Sequence, residues 1–269
     1  MTSSNTKVLV VVPLRLNSQR LSKKILRPIG EFSLAVRSLK MALQVQSKIQ
    51  GVRVVAAIDD KETFEHLRKN FSEKELLILL TSPELASGTD RVFAAYQQMR
   101  KKHPSMIRGL KYMVNIQGDM PFFDPEPITL MIKKLLKQKN SRLAMWTLAE
   151  KWPFEQNPFD MQFVKVVCDK DDRALYFSRH PIPCSRNFSH EALSLHVGVY
   201  AYTLQALKNF CSQKPCEMEK LEGLEQLRAL HNGTPIYVYP CATRSGYSFR
   251  GIDVQSDYDW AQNFHKERK

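Results

Sequence analysis

The 269 residues, 43% of them hydrophobic, suffice to bury a large core as one domain or as a domain with a subdomain. No apolar run reaches membrane-spanning length, and the polar opening Met1 to Thr6 lacks a charged-then-apolar leader pattern, so a cytosolic protein with no membrane partner is expected. Forty Lys and Arg against 27 Asp and Glu give a formal charge of +13, which favours polyanions. No zinc finger, RNP aromatic pattern or basic zipper accompanies that charge, so no specific nucleic-acid partner is expected. The five cysteines are odd in number and irregularly spaced, which excludes a paired zinc hairpin.

Taken in chain order, Val8 to Val12 is a continuous apolar run ending at Pro13, the pattern of a parallel strand buried on both faces. A loop rich in Arg, Ser and Lys follows, and then an amphipathic stretch from Ser33 to Ile49 reads as a helix. Strand and helix patterns then alternate. Val52 to Ile58, Leu76 to Leu80 and Tyr112 to Ile116 read as strands, while Glu62 to Asn70, Asp90 to Arg100 and Ile128 to Leu136 read as helices. This alternation predicts an α/β fold with a mainly parallel, Rossmann-like sheet and right-handed crossovers. After a strand at Leu143 to Leu148 the rhythm changes. Gln162 to Cys168 and Ser194 to Tyr202 read as strands separated by a long loop containing Pro181 and Pro183, which predicts a smaller subdomain. A helix over Glu217 to Leu230, a short strand over Ile236 to Tyr239 and a helix over Asp257 to His265 complete the chain. The expected division is a core of residues 7–150 and 232–269, with residues 151–231 forming the smaller part.

Ligands of open α/β sheets bind beyond the carboxyl ends of the strands, so the loops there carry the argument. The loop after the first strand, Leu14 to Lys24, offers amides, hydroxyls and four basic groups, an inventory that suits a triphosphate or an ordinary basic surface loop. It has neither the Walker A glycines nor a G-x-G-x-x-G turn. The strand ending at Ile116 runs into Gln117-Gly118-Asp119, placing a carboxylate beside a glycine that permits close ligand approach. Gly251-Ile252-Asp253 supplies a second carboxylate. Two oxygen ligands completed by substrate phosphates are a magnesium arrangement, although an isolated Asp in a turn also caps its own backbone. Ser87 to Arg91 reads as a helix-capping turn, and Tyr176 to Pro183 combines aromatics with an arginine able to hold a carboxylate.

Together and in this order, the segments PLRLNSQRLSKKIL, AAIDD, TSPELASGTDR, VNIQGDMPF, VKVVCDKDDRALYFSRHPIP, LHVGVYAY, EKLEGLEQLRAL and GID resemble the CMP-KDO synthetase family, the 3-deoxy-manno-octulosonate cytidylyltransferases. The resemblance implies the nucleotide-diphospho-sugar transferase type of fold, a smaller sugar-binding and dimerising part, a homodimer, and magnesium as cofactor. It implies transfer of CMP from CTP to an acidic octulosonate sugar for lipopolysaccharide biosynthesis. By position, Arg15, Ser18, Arg20 and Lys24 fall in the CTP phosphate loop, Ser87 and Arg91 at the cytosine pocket, and Gln117 and Asp119 in the family's QGD. Lys24, Asp119 and Asp253 are the implied catalytic residues, with Asp119 and Asp253 holding the metal. Arg179, His196, Tyr200, Glu225 and Gln226 match positions facing the sugar, although His196 also suits a bonded core histidine. Another acidic sugar, such as 8-amino-KDO or neuraminate, or a silent nucleotide- or RNA-binding paralogue, is the alternative. The chain departs from the family's RLPGKPL at Arg20 to Leu26, from its acidic residue at Met120, from its GKP at Gly30 to Phe32 and from its T-P-E-D at Val254 to Asp257.

Overall fold

Val8 to Val12 are all fully buried, and they form the middle of β1 (Val8–Pro13) in the computed structural model of the chain. The structure describes residues 6–17, 20–138, 143–153, 156–184 and 190–268. The chain divides into two units, Met1–Lys137 with Arg244–Lys269, and Gln138–Thr243.

In the first unit a two-residue hairpin, β2 (Pro28–Ile29) and β3 (Phe32–Ser33), leads into α1 (Leu34–Ser47). Ser33 caps that helix by accepting from the Val36 amide at 3.3 Å. There follow β4 (Val52–Ile58), α2 (Lys61–Arg68), β5 (Leu77–Leu80), α3 (Gly88–Lys102), β6 (Tyr112–Asn115) and α4 (Pro125–Lys137). The strands lie in the order β6, β1, β4, β5 and every pairing among them is parallel. Their carboxyl ends therefore share one edge, and the loops that leave it are those rich in basic and acidic residues. Gly118 sits where β6 leaves the sheet, and a methyl group there would lie 2.4 Å from Leu14 Cδ2 and 2.5 Å from the Pro13 carbonyl. Only glycine lets the two strand ends approach so closely.

In the second unit β7 (Met145–Lys151) is followed by β8 (Lys165–Cys168), β9 (Ala174–Ser178) and β10 (Ser194–Thr203). Then come α5 (Leu204–Ser212), α6 (Glu217–Glu222), α7 (Gln226–His231) and β11 (Ile236–Cys241). β7 pairs antiparallel with β10 and parallel with β11, which groups β7 and β11 with this unit. The chain returns to the first unit with α8 (Gln255–Glu267).

Three differences from the sequence reading stand out. The segment before Pro181 is a strand, β9, because it pairs antiparallel with β8. α5 follows Thr203, which caps it by accepting from the Ala206 amide at 3.1 Å, a helix the sequence reading did not assign. The helix expected over Glu217 to Leu230 is two helices, because Gly223 adopts φ 63° and ends the first of them.

A bulge in β10 between Val197 and Tyr200 folds that strand back on Thr147. The Thr147 hydroxyl lies 2.8 Å from the Val199 carbonyl and 3.1 Å from His196 Nε2. The Val197 carbonyl, at 3.0 Å, is a further acceptor within reach of that hydroxyl. Burial lowers the His196 pKa from 6.5 to about 3. The unfolded chain thus binds a proton at this residue below pH 6.5 that the native state refuses, and stability is lost as pH falls through that window.

Urea unfolding should therefore show wild-type stability falling below pH 6.5 with a slope of up to about 1.4 kcal/mol per pH unit from this residue. His196→Gln should flatten that slope; equal slopes in the two proteins would refute the assignment. Gly118→Ala should destabilise the chain by about 1–3 kcal/mol through overpacking, read from the denaturation midpoint.

Candidate active site

The loops at the carboxyl edge of the first unit enclose a cleft of about 710 Å³. Arg15, Arg20 and Lys24 from the β1 loop, Asp59 from the end of β4, Ser87, Gly88 and Arg91 from the start of α3, and Gln117 to Asp119 after β6 line it. The volume lies within the range of small-ligand sites, and the lining is rich in cations.

Its strongest feature is a meeting of three segments far apart in sequence. Lys24 Nζ donates to Asp119 Oδ2 at 2.7 Å, to Asp253 Oδ1 at 2.8 Å and to the Ile252 carbonyl at 2.9 Å. Burial opposes the Lys24 charge, yet the two carboxylates and their hydrogen bonds outweigh it and raise the lysine's pKa above its ordinary value. Burial likewise pushes the Asp253 carboxyl up, but the neighbouring charges of Lys24 and Arg20 hold it below its ordinary value. Both groups therefore stay ionised around neutral pH. Arg20 reaches Asp253 Oδ2 at 3.1 Å.

The cleft also has a supporting layer. Asp59 accepts from the Leu16 amide at 3.0 Å and from Arg91 at 3.2 Å, tying the β1 loop to α3. Arg91 is almost wholly buried, and its other bonds go to Thr81 Oγ1 at 2.5 Å and the Ser82 carbonyl at 3.3 Å. Arg15 donates to the Leu85 carbonyl at 2.6 Å, pinning the β1 loop to the loop before α3. Ser87 caps α3 in a reciprocal box with Asp90, so the helix presents its amide end to the cleft. Behind Asp253, the buried Asp257 accepts from the Asp253 amide at 2.9 Å and the Val254 amide at 3.1 Å, and it pairs with Arg250 at 2.7 Å. Asp59 and Asp257 were given no role from the sequence. Asp59 stands at a strand's carboxyl end, and Asp257 stands three residues after a helix cap, which are the signals that mark them.

Arg15, Arg20, Lys24, Ser87, Arg91, Gln117 and Asp119 thus share one cleft, with Asp253 bonded at its edge, while Ser18 lies outside the described residues. Where the family pattern has glycine, Lys23 adopts φ 47° and ψ 33° and pairs with Glu62 at 2.7 Å. Met120 is buried, so its departure falls in the core rather than in the cleft.

The residues matched to the sugar lie in the second unit. The bulge in β10 brings the His196 and Tyr200 rings to 5.4 Å, and the Glu225 charge reaches Tyr200. Gln226 is buried as the first residue of α7. Arg179 bonds the carbonyls of Glu222 at 2.6 Å, Met161 at 2.7 Å and Gly223 at 3.3 Å, so bidentate capture of a carboxylate requires exchanging some of these bonds.

Residues 9–236 match the family described as cytidylyltransferase. The 3-deoxy-manno-octulosonate cytidylyltransferase of Wolinella succinogenes is 34% identical over 257 residues, spanning 94% of this chain and 97% of that one. The enzyme of the same name from Desulfatibacillum aliphaticivorans is 38% identical over 252 residues, spanning 93% and 95%. A solved CMP:2-keto-3-deoxy-manno-octonic acid synthetase in complex with CTP superposes with a TM-score of 0.79 at 26% identity, covering 98% of this chain and all of that one. The chain belongs to the cytidylyltransferase family, among the 3-deoxy-manno-octulosonate cytidylyltransferases.

Proposed function

We propose that the protein transfers CMP from CTP to the anomeric hydroxyl of 3-deoxy-D-manno-octulosonate (KDO), releasing pyrophosphate. The observation that carries this reading is the convergence of Asp119 and Asp253 on a single ammonium in a cation-lined cleft of a family member. The hydroxyl oxygen attacks the α-phosphorus, the bond to the β-phosphate oxygen breaks, pyrophosphate departs and the hydroxyl proton is released. The step is a direct displacement that requires no covalent enzyme intermediate, and the amine of the cleft, Lys24, is engaged by two carboxylates. Arg15 and Arg20 bind the triphosphate, the amide end of α3 adds partial positive charge, and Lys24 neutralises charge developing on the leaving group.

Two carboxylates that share one cation suit a divalent ion whose other ligands are phosphates and water, and among the described residues no group of three or more metal ligands competes for it. Asp119 and Asp253 would hold magnesium, which would supply Lewis-acid polarisation of the phosphoryl oxygens when bound. Asp257 holds the Asp253 backbone, so the altered sequence after Asp253 retains the support of that carboxylate. His196, Tyr200, Glu225, Gln226 and Arg179 are proposed to recognise the sugar acid. The product is an activated sugar for lipopolysaccharide assembly, made in the cytosol by a homodimer. No helix among the described residues is long and apolar enough to cross a membrane.

The reaction is tested by pyrophosphate release from purified protein with CTP, magnesium and KDO, set against 8-amino-KDO, neuraminate and the other nucleoside triphosphates. Release that requires both CTP and KDO is the expected result; measurable CTP binding without release for any sugar rejects the reading. Asp119→Ala and Asp253→Ala should each lose on the order of 3 kcal/mol of transition-state stabilisation, roughly a hundredfold in kcat/KM. Near-normal turnover in either variant contradicts the roles assigned.

A further inference from the structure

Both carboxylates assigned to the metal already hold a cation. The Lys24 ammonium bridges Asp119 and Asp253 and is fixed from a third side by the Ile252 carbonyl at 2.9 Å. The second oxygen of Asp253 carries Arg20. Two cations and two anions cancel, so this cluster offers an approaching divalent ion neither net negative charge nor a shared pair of unengaged oxygens. An ion arriving alone has to displace the ammonium of a side chain that is only 12% exposed, and that ammonium is bonded three times. A nucleoside triphosphate changes both conditions. It adds several negative charges, and its oxygens give Lys24 and Arg20 alternative charge-assisted partners, which frees the carboxylates.

We propose that Lys24 is a built-in surrogate cation that keeps divalent metal out of the nucleotide-free enzyme and yields its place when a nucleoside triphosphate enters. The inference rests on the reading of Asp119 and Asp253 as the metal carboxylates. It assigns Lys24 a role before chemistry, in the order of assembly. Metal enters with the nucleotide or after it. A protein that filled this site first would commit its carboxylates to an ion without substrate.

The probe is Mn²⁺, titrated into nucleotide-free protein and followed by the electron paramagnetic resonance of the free ion, a readout independent of turnover. Lys24→Met and Lys24→Gln remove the charge, and both should bind Mn²⁺ at least tenfold more tightly than wild type. Lys24→Arg, which retains the charge, should stay with wild type. Adding Asp119→Asn to Lys24→Met should abolish the gain. Thermal melts establish that each variant is folded, and the two neutral variants guard against failure of either one. Wild-type affinity equal to that of the neutral variants, with binding lost on Asp119→Asn, overturns the exclusion while leaving the metal carboxylates in place. Binding indifferent to Asp119 in every background overturns the carboxylate assignment and the exclusion with it.

Discussion

One ammonium holds the first unit's working edge together. Lys24 joins the loop after β1, the turn after β6 and the segment before α8, bonding residues that lie 95 and 229 positions after it in the chain. Two carboxylates placed this close would repel each other strongly in a half-buried setting, and they coexist because a cation lies between them. The geometry that brings the two carboxylates together is therefore the geometry that makes the pair unstable when empty of charge. Lysine suits this position better than arginine would, since a compact point charge on a flexible stem can give way to another cation.

Around that centre the structure builds its site from fixed backbone more than from side chains that face the ligand. Arg91 and Asp257 are buried and Asp59 is part-buried; they bond to amides, carbonyls or one another, and each controls where a cleft loop begins. Gly118 plays the complementary part by absence of a side chain, letting the end of β6 rest against the end of β1. An argument from ligand chemistry alone gives no role to Asp59 or Asp257, because what their bonds in the structure do is hold the loops.

That distinction explains which parts were legible in the sequence. β1, β4 and β6 were plain because their apolar runs are continuous and their loops follow the rule that ligands gather at strand carboxyl ends. Asp119 and Asp253 were legible as carboxylates, but their meeting was not, because no periodicity reports a contact between loops this distant. β9 was hidden because its burial depends on β8 beside it, and the break between α6 and α7 was hidden inside an otherwise helical pattern, where one glycine takes a left-handed conformation. His196 kept two readings in the sequence, core residue or sugar contact. The structure places it 3.1 Å from the Thr147 hydroxyl, where burial lowers its pKa to about 3.

The left-handed lysine in the loop after β1 has a consequence for how that loop folds. A glycine at this bend would adopt it without steric cost but would bring the largest conformational entropy to be lost on ordering. Lys23 reverses the balance. Its β-carbon strains the native turn, while its unfolded ensemble is narrower from the start, and the pairing with Glu62 offsets part of the strain. The loop has thus exchanged an entropic burden for an enthalpic one, and its closing should depend less on temperature-driven disorder and more on whether the α2 carboxylate is there to meet it.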